Sequence, residues 1–243
     1  MLILAIDTSS RTGSAALLRD SEVLAEVSGY EETLYSNRLF RDIALLQEMA
    51  KMRLSQIDVF AVAAGPGSFT GLRVGLTAVK AWAEVHGKPI AAVSGLEAIA
   101  AGSLTTMVDG VSDASLIAPF LDARRGQIFG AIYRRKASGD ETGLGLVLDG
   151  DESILSPQEF LEVLKGSHTQ PVALVSPTPD AIPAARIEEA LPGARVVQVS
   201  AALAPAIGRL GFQRAQRGDL VDALHLDANY LRRSDAESAW KDG

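Results

Sequence analysis

The segment AGPGSFTGLRVG, Ala64 to Gly75, places four glycines in twelve residues between an apolar run, VFAVA, and a helix-like stretch, LTAVKAWAEV. A turn from a strand into a helix N-terminus presents unpaired N–H groups and the positive end of the helix dipole, which together attract an anion. Yet the glycines fall at positions 65, 67, 71 and 75 and no lysine follows Gly71, so neither G-x-G-x-x-G nor G-x-x-x-x-G-K-[ST] is met. The same residues also read structurally. Gly71 and Gly75 lie four apart and share a helix face with Ala78 and Trp82, a small-residue surface that lets another helix approach. Each glycine in those turns costs about 1 kcal/mol relative to alanine, which a packing or ligand contact must offset. Arg73 puts a cation near the helix N-terminus, unfavourable unless a carboxylate or a bound phosphate answers it. The residue chemistry favours helix packing over phosphate binding.

On the N-terminal side, LILAID, TGSAALLR and EVLAEVSGY are apolar runs separated by TSSRTG and RDS, the pattern of three successive antiparallel strands. Residues 33–52 contain no Gly or Pro and set Leu39, Ile43, Leu46 and Ala50 at helical spacing. Phe40, Ala44, Leu45 and Met49 widen that apolar face beyond the stripe of ~100° that covering a sheet requires, which predicts a second packing partner. Downstream come the strand DVFAVAA, the helix from Leu72 to about His86, and the strand PIAAVS. HGKP closes that helix: Gly87 suits the left-handed position, Pro89 cannot continue it, and His86 reads as a cap rather than a catalytic group.

From Leu116 the strand pattern restarts with LIAPFLDAR, QIFGAIYRR and LGLVLDG. A helix begins at Ser156-Pro157, and PVALVS and RVVQVS are strands with a proline-bounded helix between them. A last helix, within AALAPAIGRLGFQRAQRG, is weakened by Pro205, Gly208 and Gly211. The small polar stretch 101–115 reads as a linker. The chain is therefore expected to be α/β, with two mixed sheets each flanked by helices. The expected division is 1–103 and 104–243, with a helix within about 201–217 able to pack back on the first part.

The 243 residues, 47% of them hydrophobic, suffice for a sizeable core. The absence of cysteine excludes disulfides and thiolate chemistry, and the three histidines are scattered. MLILAID lacks a basic leader region and no apolar run approaches a membrane span, so a cytoplasmic protein is expected. A formal charge of -7 opposes strong non-specific attraction to nucleic acid, and the doublets Arg124-Arg125 and Arg232-Arg233, with Arg134-Arg135-Lys136, read as solvated surface.

AIDTSS, AAGPGSFTGLRVG, AVKAWAEVHGKPIAAVS, DARRGQIFGAIY and the terminal NYLRR together resemble the TsaB (YeaZ) family, formerly labelled glycoprotease-like (M22). The likeness covers the first half and recurs in patches afterwards. It implies the actin, heat-shock chaperone and sugar kinase (ASKHA) type of fold, with two similar βββαβαβα subdomains. It also implies a partnership with TsaD in forming N6-threonylcarbamoyladenosine on tRNAs that read ANN codons. TsaC makes the threonylcarbamoyl-adenylate, TsaD transfers the group, and TsaE is the ATPase. TsaD, a paralogue, binds its metal through two helix-borne histidines four residues apart. By that alignment Gly95 and Ile99 stand there, and neither side chain can ligate a metal.

The resemblance implies a scaffold with no catalytic or metal-ligating residue of its own and no tightly bound cofactor, ATP and magnesium belonging mainly to its partners. Its interface with TsaD, or with a second copy in a homodimer, is expected at Leu39, Ile43, Leu46, Gly71, Val74, Gly75, Ala78 and Trp82, two helices from each subunit meeting in one bundle-like contact. By the resemblance Asp7 matches the superfamily's first phosphate-loop aspartate, which implies a vestigial nucleotide site with Gly65 and Gly67. The competing reading of Asp7 is an Asx turn with Thr8–Ser10, and Asp122 before Gly126 is open to the same account. Two other functions stay open: an ATP-dependent phosphotransferase using Asp7 and magnesium, and an M22-like metallopeptidase.

Overall fold

The computed structural model describes residues 1–29, 38–105, 111, 114–135, 145–166, 171–194 and 196–232. Among them are twelve strands and six α-helices. The first sheet is built from β1 (Leu2–Asp7), β2 (Ser14–Arg19), β3 (Glu22–Ser28), β4 (Val59–Gly65) and β5 (Ile90–Ser94), in the order β3-β2-β1-β4-β5. β2 pairs antiparallel with β1 and β3, whereas β4 runs parallel to β1 and β5 parallel to β4. Helix α1 (Leu39–Ala50) joins β3 to β4, α2 (Phe69–His86) joins β4 to β5, and α3 (Gly95–Thr105) follows β5.

The second sheet repeats this plan with β6 (Leu116–Arg124), β7 (Gln127–Gly130), β8 (Tyr133–Arg135), β9 (Leu146–Leu148), β10 (Ser153–Leu155), β11 (Val172–Ser176) and β12 (Val196–Gln198). Its order is β10-β7-β6-β11-β12, with β8 and β9 continuing the β7 and β10 side. Helices α4 (Pro157–Gly166), α5 (Ala184–Ala190) and α6 (Ala204–Arg217) occupy the places of α1, α2 and α3. The doubled plan is the ASKHA fold. QIFGAIYRR reads as one strand but is two, β7 meeting Phe120 to Arg124 and β8 meeting Leu116 and Ile117 of the same β6 edge.

β1 shows why an apolar run without alternation is a strand here. Leu2, Leu4 and Ile6 point into a core shared with α1 and α2, while Ile3 and Ala5 point to the opposite core. Both faces are covered, so every position is apolar. On the second sheet Leu116, Ala118 and Phe120 face α4 and α5 in a third core.

Between the sheets lie α3 and α6, and they cross over. α3 packs on β6 and β11, while α6 lies across β1, β2, β4 and β5. The crossover explains two departures from the sequence reading. The linker expected over 101–115 is helical through Thr105, and residue 103 falls inside α3; residues 106–110, 112 and 113 lie outside the described ones. α3 is apolar on nearly every side because both sheets cover it. In α6, Gly208 and Gly211 are contact points rather than weaknesses: a Cβ on Gly211 would stand 2.8 Å from the Cβ of Ala61, and one on Gly208 would strike Leu18.

The expected caps are present. Gly87 closes α2 in the left-handed conformation, and Ser156 and Glu159 cap α4 reciprocally. Residues 33–37 of the first expected helix lie outside the described residues. Among the described residues no helix is long and apolar enough to cross a membrane.

Candidate functional site at the mouth of the cleft

In an open α/β sheet a ligand crevice forms at the C-terminal ends of strands where the strand order reverses. Here those ends are Asp7 of β1 and Gly65 of β4. Asp7 is fully buried, and its Oδ1 accepts from the Ser9 N–H at 2.8 Å and the Ser9 hydroxyl at 2.6 Å. This is the Asx arrangement. Its Oδ2 is buried and, among the described residues, has no hydrogen-bond partner. Burial pushes the Asp7 carboxyl above its ordinary value, with the Ser9 bonds opposing.

The glycines let backbone meet backbone. A Cβ on Gly67 would lie 2.6 Å from the Cβ of Ser9, a Cβ on Gly71 would strike the Thr8 carbonyl, and one on Gly75 the Thr8 hydroxyl. Thr8 Oγ1 donates to the Gly71 carbonyl at 2.7 Å, and Ser68 N donates to Ser9 O at 2.8 Å. The start of α2 is thereby seated on the β1–β2 turn of its own chain.

Residues 219–232 form a strap across the cleft. Val221 bridges to Ile90 of β5, and Leu226 is buried beneath the first sheet's outer helices. Asn229 N donates to Ala64 O at 2.7 Å, and the Asn229 carbonyl fills the space beside Gly65, 2.5 Å from where a Cβ would stand. Tyr230 packs on Phe69 with ring centroids 4.9 Å apart. Arg232 then reaches the second sheet, donating to Ala123 O and Gln127 Oε1, each at 2.6 Å.

Under the strap a polar cluster ties the halves. Glu152 accepts from the Ser94 hydroxyl, from Tyr133 at 3.0 Å and from Asn229 Nδ2 at 2.8 Å. Arg214 of α6 donates to Glu97 of α3 at 2.5 Å, and its buried Nη1 has no hydrogen-bond partner among the described residues. Burial raises the Glu97 carboxyl against the pull of Arg214, and burial beside Glu152 and Glu97 drives the Tyr133 hydroxyl far upward. The sequence reading missed this cluster, although Ser94-Gly-Leu-Glu97 is a capping-box pattern and Ser94 Oγ does accept from Leu96 and Glu97 N–H.

The expected interface residues divide: Leu39, Ile43, Leu46, Gly75 and Ala78 are buried within the chain, which corrects them as contact residues, whereas Gly71, Val74 and Trp82 stay partly exposed. Leu39, Ile43, Leu46 and Ala78 are buried in the chain's own core, Gly71 and Gly75 face Thr8, and Val74 and Trp82 are half-buried against the same core. An amphipathic helix first satisfies its own sheet. What α1 leaves outside is Phe40, 65% exposed, with Leu45 and Met49; α2 adds Val85, 77% exposed. Phe40 meets Trp82 edge-on at 6.3 Å between ring centroids. Gly95 and Ile99 sit on buried faces of α3 and carry no donor atom. Among the described residues no group of three His, Cys, Asp or Glu could hold a metal ion. Asp122 accepts from Arg124 N at 2.7 Å, the Asx role at a hairpin.

The family model that matches, over residues 32–173, is TsaD, tRNA N6-adenosine threonylcarbamoyltransferase. The tRNA threonylcarbamoyladenosine biosynthesis protein TsaB of Bacillus subtilis is 33% identical over 240 residues, 99% of this chain and 98% of its own length. The protein of the same name from Escherichia coli is 31% identical over 171 residues, 68% of each chain. Among solved structures, YeaZ from Pseudomonas aeruginosa superposes with a TM-score of 0.72 at 25% identity, covering 95% of this chain and 99% of that one.

Proposed function

The chain belongs to the TsaB family, and from that membership we propose that it serves tRNA threonylcarbamoyladenosine formation as a non-catalytic scaffold that binds TsaD. The observation that carries the scaffold reading is the exposed Phe40 of α1, which meets Trp82 of α2 edge-on, with Val85 exposed three residues beyond Trp82 and Leu45 and Met49 exposed elsewhere on α1. Large apolar side chains grouped on neighbouring helices mark a protein contact. The surface is open to TsaD or, in isolation, to a second copy of this chain. Transfer chemistry is assigned to TsaD because Gly95 and Ile99 leave this chain without its helix-borne ligands. TsaE and TsaC act beside the pair, in the cytoplasm, and bring the ATP-dependent steps.

An ATP-dependent phosphotransfer centred on Asp7 draws no support from a carboxylate that is wholly buried and held by Ser9. Reconstitution of threonylcarbamoyl transfer with TsaC, TsaD and TsaE, with and without this chain, tests the reading. Undiminished transfer in its absence would overturn it.

A further inference from the structure

Four arginines gather at the mouth of the cleft, where the strap joins the two sheets. Arg73 lies over the Phe69 ring, 3.9 Å from its centroid, and the other neighbour of that ring is Tyr230, 41% exposed. Two residues on, Arg232 grips the β6–β7 hairpin, whose tip carries Arg124 and Arg125. Elsewhere guanidinium groups meet carboxylates, as in Arg38–Asp42, Arg134–Asp149 and Arg214–Glu97. Here Arg73, Arg124 and Arg232 form no ion pair with any described residue; Arg232 meets only neutral acceptors and Arg73 a ring. Among the acids on or beside the strap and hairpin, Asp122 and Asp227 each commit one oxygen to a main-chain N–H, and Glu152 accepts from Asn229, Tyr133 and Ser94.

The backbone of the hairpin tip points the same way. Arg124 and Arg125 both hold positive φ, 63° and 56°, ahead of Gly126 at 72°. Hairpin turns of this kind favour Asn-Gly, because a longer side chain is disfavoured in the left-handed region. The positive φ of Arg124 costs stability, and its guanidinium forms no ion pair with a described residue in return.

Resting on the reading above that the chain serves tRNA modification, we propose that the Arg73–Phe69–Tyr230 stack and the Arg124–Arg125 hairpin form a direct contact surface for structured RNA. The guanidinium groups of Arg73 and Arg124, which pair with no described carboxylate, are available to phosphates, and the exposed Tyr230 ring offers a platform for an unstacked base. The overall charge of -7 makes this contact local and weak unless another subunit binds the same RNA.

The test measures binding of a fluorescein-labelled tRNA transcript with an ANN-reading anticodon to the full chain, by anisotropy across a salt series. Arg73→Glu/Arg124→Glu alters two exposed side chains, so its thermal midpoint should match the parent. It is expected to weaken binding about tenfold or more near 0.1 M salt and to lower the salt slope by about 2. Tyr230→Leu keeps an apolar anchor on Phe69 and is expected to weaken binding about fivefold with the slope unchanged. No binding by the parent chain, or equal affinity and slope in the double variant, would overturn the surface. So would displacement of the transcript by polyglutamate as effective as by unlabelled tRNA, which would mark an acidic polypeptide as the partner. Gel filtration of the same variants with TsaD separates the two readings. Assembly intact with RNA binding lost is the expected result; assembly intact with RNA binding unchanged sinks only the RNA surface, and failure of the parent chain to assemble sinks only the scaffold.

Discussion

The main-chain carbonyl of Asn229 stands 2.5 Å from where a Cβ on Gly65 would be, so the C-terminal strap occupies the space at the end of β4. Gly65 also holds φ at 119°, a conformation that side-chain-bearing residues rarely adopt. Gly65→Ala should therefore lower stability by about 1–3 kcal/mol through strain, with the strap displaced as well. Thermal unfolding and hydrogen exchange over residues 227–232 would read the two effects. An unchanged midpoint with unchanged strap protection would show that the strap does not rest on Gly65.

The two sides of α1 and α2 should respond oppositely to substitution. Gly75→Ala drives a methyl group into the Thr8 hydroxyl and is expected to destabilise the isolated chain by about 1–3 kcal/mol, as overpacking does. Phe40→Glu and Met49→Glu change exposed side chains and should leave unfolding within about 0.5 kcal/mol of the parent. If these residues form the proposed contact, the glutamates abolish co-elution with TsaD. Retained co-elution in both would move the contact elsewhere.

Arg38 and Asp42 form a buried ion pair at 2.8 Å with side chains 6% and 3% exposed, and Arg38 also donates to the carbonyls of Gly29 and Thr12. Removing one partner leaves a buried charge unanswered. Asp42→Ala should cost about 3–5 kcal/mol in urea unfolding. The pair ties the start of α1 to the first hairpin, so loss of α1 protection should accompany the change.

Asp7 gives a pH dependence of definite sign. Its carboxyl is raised above the ordinary 3.8, so the unfolded chain releases the proton first as pH rises. Its contribution is fully present below about 3.8 and is lost as pH climbs through the raised native value. Asp7→Asn abolishes that titration, so the difference in unfolding free energy should move in favour of the variant from pH 4 upward. A difference that stays flat with pH would show that Asp7 is ionised in the folded chain.

Much of the fold was legible because its strands and outer helices carry their periodicity locally. Ser156 and Gly87 mark helix ends by their own chemistry, and the restart of strand runs at Leu116 revealed the doubling. Illegible were the features made by distant segments. α3 has no polar face because two sheets bury it, and Gly211 of α6 looks like a defect until Ala61 is placed beneath it. Glu152 belongs to the cleft only because Ser94, Tyr133 and Asn229 converge on it from separate stretches. Leu39, Ile43 and Leu46 were correctly read as a helix face, but periodicity does not say whether a face meets its own sheet or another protein.

The crossing of α3 and α6 also orders events in time. Ala204 N donates to Ser14 Oγ across 190 residues of sequence, and α6 supplies the inner cover of the first sheet. A ribosome adding roughly 5–20 residues per second therefore exposes that sheet's inner apolar face for on the order of ten seconds before its cover emerges. The half that is made first is finished last, and the nascent chain is the form of this protein most in need of a chaperone.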